Sequence, residues 1–300
     1  MSTYNRLMKV YENAPVIEFD ENSKFIFMGD VHRGDNSMSD EFAPNQNTYS
    51  FALMHYLDQG YTYVEVGDGD ELWEHSKFEH IRSAHSDVFC LLRDFYLKDR
   101  LIMLYGNHNM CLKNPEYIKS NLYEFYDEYY DERSQLFPGI EIKEGIVLKY
   151  KETGQQFLVI HGHQGDLMND SLWRISMFTL RYFWRFMHII GFKNPSSPAK
   201  NRVKRHKIEQ NYSKWISNEG INVICGHTHR PKFPKEHEVG YFNTGCCVHP
   251  RGITCIEISN GKISLVNWKV SSNEKGELYI NKKNIRNSEP IKKYSVPNRY

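Results

Sequence analysis

The sequence predicts an α/β fold in which buried strands alternate with helices and point their carboxyl ends at a ligand. Three observations carry this. Short apolar runs recur along the chain, and each stops at a glycine or a polar cluster. Longer stretches with helical character lie between the early runs. Five of the runs are followed directly by side chains able to hold a metal ion. In open α/β sheets, ligands bind beyond the carboxyl ends of the strands.

The runs are KFIFMGD (24–30), YTYVEVGDGD (61–70), LIMLYGNHN (101–109), QFLVIHGHQGD (156–166) and INVICGHTH (221–229). Near-continuous apolar runs of this length suit strands covered on both faces. Helices are expected over roughly 45–60, 77–98 and 115–136. After residue 238 the pattern becomes all-β: VGYFNTGCC, GITCIEIS and KISLVNWKV read as consecutive strands, with Asn260-Gly261 as a hairpin turn. Residues 271–300 are polar and are expected to be loosely attached. Residues 167–220 fit neither pattern and read as an inserted helical pair, broken at NPSSPAK. The organisation expected is one domain over 1–270, carrying this insert, and a polar C-terminal extension over 271–300.

Composition bounds the function. Of 300 residues, 40% are apolar and 25% charged, which suits a soluble chain with a sizeable core. A net charge of +1 provides no global field for nucleic acid or acidic substrates, so anion binding must be local. The N-terminal stretch MSTYNRLMKVYENAPVIEFD has no apolar signal-peptide core. The most apolar later segment, SLWRISMFTLRYFWRFMHIIG, is broken by Arg174, Arg181, Arg185 and His188, which disfavours a bilayer span. The location expected is cytoplasmic. The six cysteines show no C-x-x-C spacing, so reduced thiols are expected, with Cys246-Cys247 an isolated vicinal pair.

The candidate ligands at the strand ends are Asp30 and His32, then Asp68, then Asn107, then His161, then His227 and His229. One histidine at a strand end is commonly just solvated. Five successive strand ends carrying such donors point to a single cleft. Carboxylate, amide and imidazole donors without thiolate suit Mn, Fe, Zn or Mg rather than a structural cysteine-type zinc site. Seven protein donors exceed what one tetrahedral ion needs. Two ions about 3.5–4 Å apart, bridged by a shared carboxylate and by a hydroxide that doubles as nucleophile, would use them. In the Gly-His-Thr-His step, His227 and His229 fall on the same side of an extended segment, so each could reach a different ion.

GDVH, GDGDE, GNHN, HGH and GHTH together resemble, in order and spacing, the signature of the calcineurin-like metallophosphoesterases. The resemblance implies a four-layer α-β-β-α sandwich with a helical insert between the fourth and fifth motifs. It implies Asp30, His32, Asp68 and His229 around one ion, and Asp68, Asn107, His161 and His227 around the other, with Asp68 bridging. It implies two divalent ions, with Mn²⁺ first among them and Fe, Zn or Mg as alternatives. His108 would be the catalytic acid or charge stabiliser, oriented by Glu71. Asn109 departs from the Asp or Glu common there, and is expected to change local polarity but not the number of ions. His163 has no role in the pattern, and a solvated loop is its expected setting.

The reaction implied is hydrolysis of a phosphoester or pyrophosphate in a small-molecule substrate. GDGDELW and GHTHRP resemble the UDP-2,3-diacylglucosamine pyrophosphohydrolase branch, which points to a nucleotide- or lipid-linked pyrophosphate. Arg174, Arg181 and Arg185 share about one helical face and could meet an anionic substrate as part of a lid, or merely snorkel from a core helix. Arg230 could contact substrate or be a plain surface arginine. Lys200, Arg202, Lys204, Arg205 and Lys207 form a basic cluster: a solvated face, or a peripheral contact with an anionic membrane. A protein phosphatase or a nuclease on the same scaffold is the alternative enzyme reading, and a nuclease would need a broad basic track, which a net charge of +1 and one local cluster support poorly. A non-catalytic binding module is the alternative of another class. The full set of metal and histidine positions argues against it.

Overall fold

Strand side chains in this protein alternate between two cores, and that alternation builds the layers. A computed structural model describes residues 2–127, 130–184 and 201–294. The chain opens with helix α1 (Thr3–Asn13), then strands β1 (Val16–Phe19) and β2 (Phe25–Met28). Next come α2 (Gln46–Asp58), β3 (Thr62–Val66), α3 (Phe78–Ala84), α4 (Ser86–Tyr96) and β4 (Leu101–Leu104). Helix α5 (Pro115–Leu122) leads into a hairpin of β5 (Glu124–Asp127) and β6 (Glu132–Gln135), followed by β7 (Gly145–Tyr150) and β8 (Gln156–Ile160). After the insert helix α6 (Trp173–Thr179) come α7 (Arg202–Glu219), β9 (Asn222–Cys225), β10 (Tyr241–Asn243), β11 (Ile253–Ser259), β12 (Lys262–Ser272) and β13 (Leu278–Pro290).

Among the described residues the strands outside the hairpin make two sheets, ordered β1-β7-β8-β9-β10 and β13-β12-β11-β2-β3-β4. Phe25, Phe27, Val64 and Val66 of one sheet pack on Ile146, Leu148, Phe157 and Ile224 of the other. The alternate residues Ile26, Met28 and Tyr63 face Leu53 and Tyr56 of α2 and Phe89 and Leu92 of α4. Val147, Leu158, Ile160 and Val223 face Leu7 and Val10 of α1 and Tyr212, Trp215 and Ile216 of α7. Each such fully buried side chain contributes about 1.5–3 kcal/mol. The result is the expected α-β-β-α sandwich. Strands β2, β3 and β4 run parallel, as do β8 and β9, so their carboxyl ends open on a common edge.

Several elements differ from expectation. The helix expected over 115–136 stops at Leu122, and β5 and β6 pair antiparallel beyond it, with Phe125 packed on the main core. The helix expected over 77–98 is interrupted at His85, whose ring bonds Asp40 and Gln46. Residues 202–219, assigned by sequence to the insert, form α7 of the outer layer, because Tyr212, Trp215 and Ile216 bury against the sheet. Much of the stretch expected to be loosely attached is held in the sheet: β13 pairs with β12 from Lys262–Pro290 to Ser272–Leu278. It is an edge strand, largely exposed, so main-chain bonds rather than an apolar pattern hold it. All six cysteines are free. Among the described residues no helix is long and apolar enough to cross a membrane.

Candidate metal centre

The ligand-bearing loops leave their strands still laddered to each other. Past β2 and β3 the main chain continues to pair, Asp30 N donating to Gly67 O at 3.1 Å and His32 N to Asp68 O at 2.9 Å. Gly226 N donates to His161 O at 2.8 Å and ties the β8 and β9 ends together. Asp30, His32, Asp68, His227 and His229 all adopt left-handed backbone, with φ of 51°, 51°, 50°, 66° and 52°. Non-glycine residues there cost about 1–3 kcal/mol each, and such strain gathers at functional sites. Gly106 and Gly226 make room for the carboxylates. A Cβ at Gly106 would lie 2.2 Å from Asp68 Oδ1, and one at Gly226 would lie 2.4 Å from Asp30 Oδ2.

Two clusters built wholly from candidate ligands result, and a third group, His32 with Glu71 and His108, adjoins them. In the first, ligand atoms of Asp30, His32 and His229 lie within 4.8 Å of one another, and in the second those of Asp68, His161 and His227 do. Asp30 Oδ1 is 3.1 Å from His229 Nε2 and 3.8 Å from His32 Nε2. Asp68 Oδ2 is 3.0 Å from His161 Nε2 and 3.9 Å from His32 Nε2, so this carboxylate faces both clusters. Asp68 Oδ1 accepts from His108 N at 2.8 Å, and Asp30 Oδ2 from His227 N at 2.7 Å. Asn107 Oδ1 is buried without a hydrogen-bond partner, and Asp30 Oδ1 and His161 Nε2 are buried facing only fellow members of the clusters, without an aligned hydrogen bond. Buried lone pairs left open in this way are costly unless something binds them. Their oxygen and nitrogen character fits divalent ions, and thiolate is absent from the set.

The electrostatics agree. Burial opposes the charge of Asp30, yet His229 and His161 beside it hold the carboxyl far below the usual range. Burial likewise opposes Asp68, and His161 and His108 hold it down. Burial opposes protonation of His229, but Asp30 pushes it up to about 10. A proton held on that lone pair must leave when an ion takes it. Burial pushes His227 down, towards the neutral form that ligates metal.

Beside the clusters sits an acid–base pair. His108 Nδ1 donates to Glu71 Oε1 at 2.8 Å, and His32 Nδ1 donates to Glu71 Oε2 at 2.7 Å. Burial works against the Glu71 charge, but His108 and His32 hold its carboxyl well below the usual range. Trp73 stacks on the His108 ring, 4.2 Å between centroids and 21° from parallel. A family model described as calcineurin-like phosphoesterase matches residues 3–231.

The chain belongs to the calcineurin-like phosphoesterases.

Members of this family generally hydrolyse phosphoesters and typically bind divalent metals. No curated protein matches the chain. Among solved structures it is similar to a point mutant of a cold-active protein tyrosine phosphatase, at 9% identity and a TM-score of 0.39, covering 89% of this chain and 83% of that one. It is also similar to Vps29 of Chaetomium thermophilum, at 8% identity and a TM-score of 0.39, covering 90% of this chain and 98% of that one.

Against this family background, the structure gathers Asp30, His32, Asp68, His161, His227 and His229, with Asn107 buried at the β4 end of the same edge and His108 and Glu71 alongside. Of the arginines expected at the substrate, three lie among the described residues. Arg181 donates to the backbone oxygens of Trp73 and Leu72, both at 2.8 Å, so its guanidinium pins the loop beneath His108. Arg174 is exposed and lies over the Trp173 ring, and Arg230 is exposed. Arg185 and Lys200 fall outside the described residues. His163 is not on a solvated loop: it is fully buried, both ring nitrogens lack partners, and burial pushes its pKa well below the usual value. It packs against His161 and His227, which sequence spacing alone does not reveal. Asn109 Oδ1 accepts from Gly106 N at 2.6 Å and closes the turn that presents Asn107.

Sequence reading passed over the groups behind the ligands. Arg33 is wholly buried and forks onto Glu65, with Nη1 2.7 Å from Oε2 and Nη2 2.9 Å from Oε1, while Nε meets Asp70 Oδ1 at 2.7 Å. This triad locks the two loops that carry His32 and Asp68. Arg33 and Asp70 lie inside the motif stretches, but a charged residue between ligands carries no signal of its own.

Proposed function

We propose that this chain is a phosphohydrolase that works with two divalent ions, Mn²⁺ first among the candidates. The observation that carries the reading is the gathering of buried donors, Asp30, His32 and His229 in one cluster and Asp68, His161 and His227 in the other, with Asn107 Oδ1 buried and unpartnered on the same edge. Asp30, His32 and His229 would hold one ion, Asn107, His161 and His227 the other, and Asp68 both. Bound ions would supply an activated water nucleophile and neutralise charge on the phosphoryl oxygens. The chain's own residues do the rest. Glu71 takes Nδ1 of His108, which leaves the opposite nitrogen to present a proton to the leaving oxygen or to steady charge on the phosphoryl group. Trp73 keeps that ring flat against one wall, and Arg181 holds Trp73 from the insert side.

For the substrate, the reading is a pyrophosphate in a nucleotide- or lipid-linked small molecule. GDGDELW and GHTHRP support it, as do the exposed apolar side chains Leu167, Ile175, Phe178 and Tyr182 on the insert, beside Arg174. The test is turnover of bis-p-nitrophenyl phosphate, p-nitrophenyl phosphate and UDP-linked acyl sugars, with and without added Mn²⁺. Metal-dependent turnover with preference for the acyl sugars is the expected result. Preference for the monoester would move the assignment to a phosphatase. No turnover of any ester with Mn²⁺, Fe²⁺, Zn²⁺ or Mg²⁺ would overturn the hydrolase reading.

A further inference from the structure

Histidines that ligate metal almost always use one ring nitrogen for the ion and place the other against a fixed acceptor, which sets tautomer and ring angle. The centre follows this rule visibly at two positions. His32 gives Nδ1 to Glu71, and His161 gives Nδ1 to the Val66 carbonyl at 2.9 Å. At His227 the fully buried Nε2 faces the carboxylate of Asp166, with Oδ2 at 3.6 Å. That is just past hydrogen-bond length.

Asp166 is built to stay there. Its side chain is buried, Lys204 Nζ lies 2.9 Å from the same Oδ2, and Asn169 Nδ2 donates to that oxygen at 2.7 Å. Oδ1 accepts from Met168 N at 3.2 Å. The pair also has a topological meaning. The chain leaves the sandwich at Asp166 and returns in α7, whose first turn carries Lys204, so this ion pair ties the two ends of the insert directly behind His227.

We propose that Asp166 is the positioning carboxylate of His227, turning that imidazole so that its other nitrogen meets the ion shared with Asp68 and His161, and that Lys204 holds Asp166 in register. The inference rests on the metal centre proposed above. It makes the base of the insert part of the metal site: displacing Lys204 lets Asp166 turn away and loosens the same ion, although Lys204 touches no ligand.

The experiment is a calorimetric Mn²⁺ titration of the full chain, with the visible spectrum of the Co²⁺ form as a second readout. The variants are Asp166→Asn, Asp166→Glu and Lys204→Met. Asparagine keeps the shape and the contact with Met168 but presents no charge to His227. The expected result is that Asp166→Asn weakens one of two ions about 10–100-fold and alters its Co²⁺ bands. Glutamate should recover part of that loss, and Lys204→Met should weaken the same ion by less. Wild-type chain binding two ions while Asp166→Asn matches it at both would overturn the inference alone. Equal loss of both ions in Asp166→Asn would also overturn it. Wild-type chain that takes up no Mn²⁺ would overturn the metal centre itself, and this inference with it.

Discussion

Nδ1 of His32 and Nδ1 of His108 both donate to the carboxylate of Glu71, at 2.7 Å and 2.8 Å. One side chain therefore orients a candidate ligand and the candidate acid. Glu71→Gln can accept from only one of them, and its amide N–H groups face the other ring. Turnover should fall about 10²-fold or more. The ion held by Asp30, His32 and His229 should also weaken about 10–100-fold. Steady-state kinetics and metal titration on the same preparation check both. Unchanged ion affinity would show that Glu71 serves His108 alone.

His108 and Asp68 should separate cleanly. His108→Ala removes a side chain that only flanks the clusters, so both ions should remain while turnover drops about 10²–10⁴-fold. Asp68→Ala removes the carboxylate that faces both clusters and should abolish ion binding and activity together. Metal content per chain, measured by emission spectrometry, decides. Loss of ions in His108→Ala would make it a ligand, and two ions in Asp68→Ala would refute the bridge.

Arg33→Met leaves Glu65 and Asp70 facing each other, buried and without their guanidinium. Breaking a buried ion pair from one side costs about 3–5 kcal/mol. The urea midpoint of the metal-free chain should fall accordingly. Arg33→Lys, which keeps the charge but not the fork, should fall less. A loss for Arg33→Met under about 1 kcal/mol would mean the triad does not hold the loops.

Asp40 gives a pH-dependent contribution away from the metal site. Its oxygens accept from His85 Nε2 at 2.7 Å, from Asn36 N and Phe42 N at 2.9 Å, and from Ala43 N at 3.1 Å. Burial opposes its charge, but His85 and these amides hold the carboxyl below the ordinary value. A depressed folded-state pKa adds stability that is complete above the unfolded value of about 3.9 and disappears as pH falls through the folded one. The stability gap between wild type and Asp40→Asn should thus be widest near neutrality and close below about pH 4. Urea midpoints from pH 7 to pH 3 test this, and a gap that stays constant would count against it.

The sequence by itself determined the strand–helix alternation and the candidate ligands, and the sandwich followed from the family its motifs resemble. Strands covered on both faces must be apolar almost throughout, so polar donors at their ends stand out, and β2, β3, β4, β8 and β9 each carry one or more. What lies behind those donors was not legible. Asp166 at His227, the Arg33 fork, the burial of His163 and the use of Arg181 on the Trp73 loop depend on which distant segment packs where, and a charged residue in a loop looks the same whether it is solvated or enclosed. The β5–β6 hairpin and β13 were also settled only in three dimensions. Strands that are largely exposed leave little periodic apolar trace, and main-chain bonding to a neighbouring strand decides their conformation.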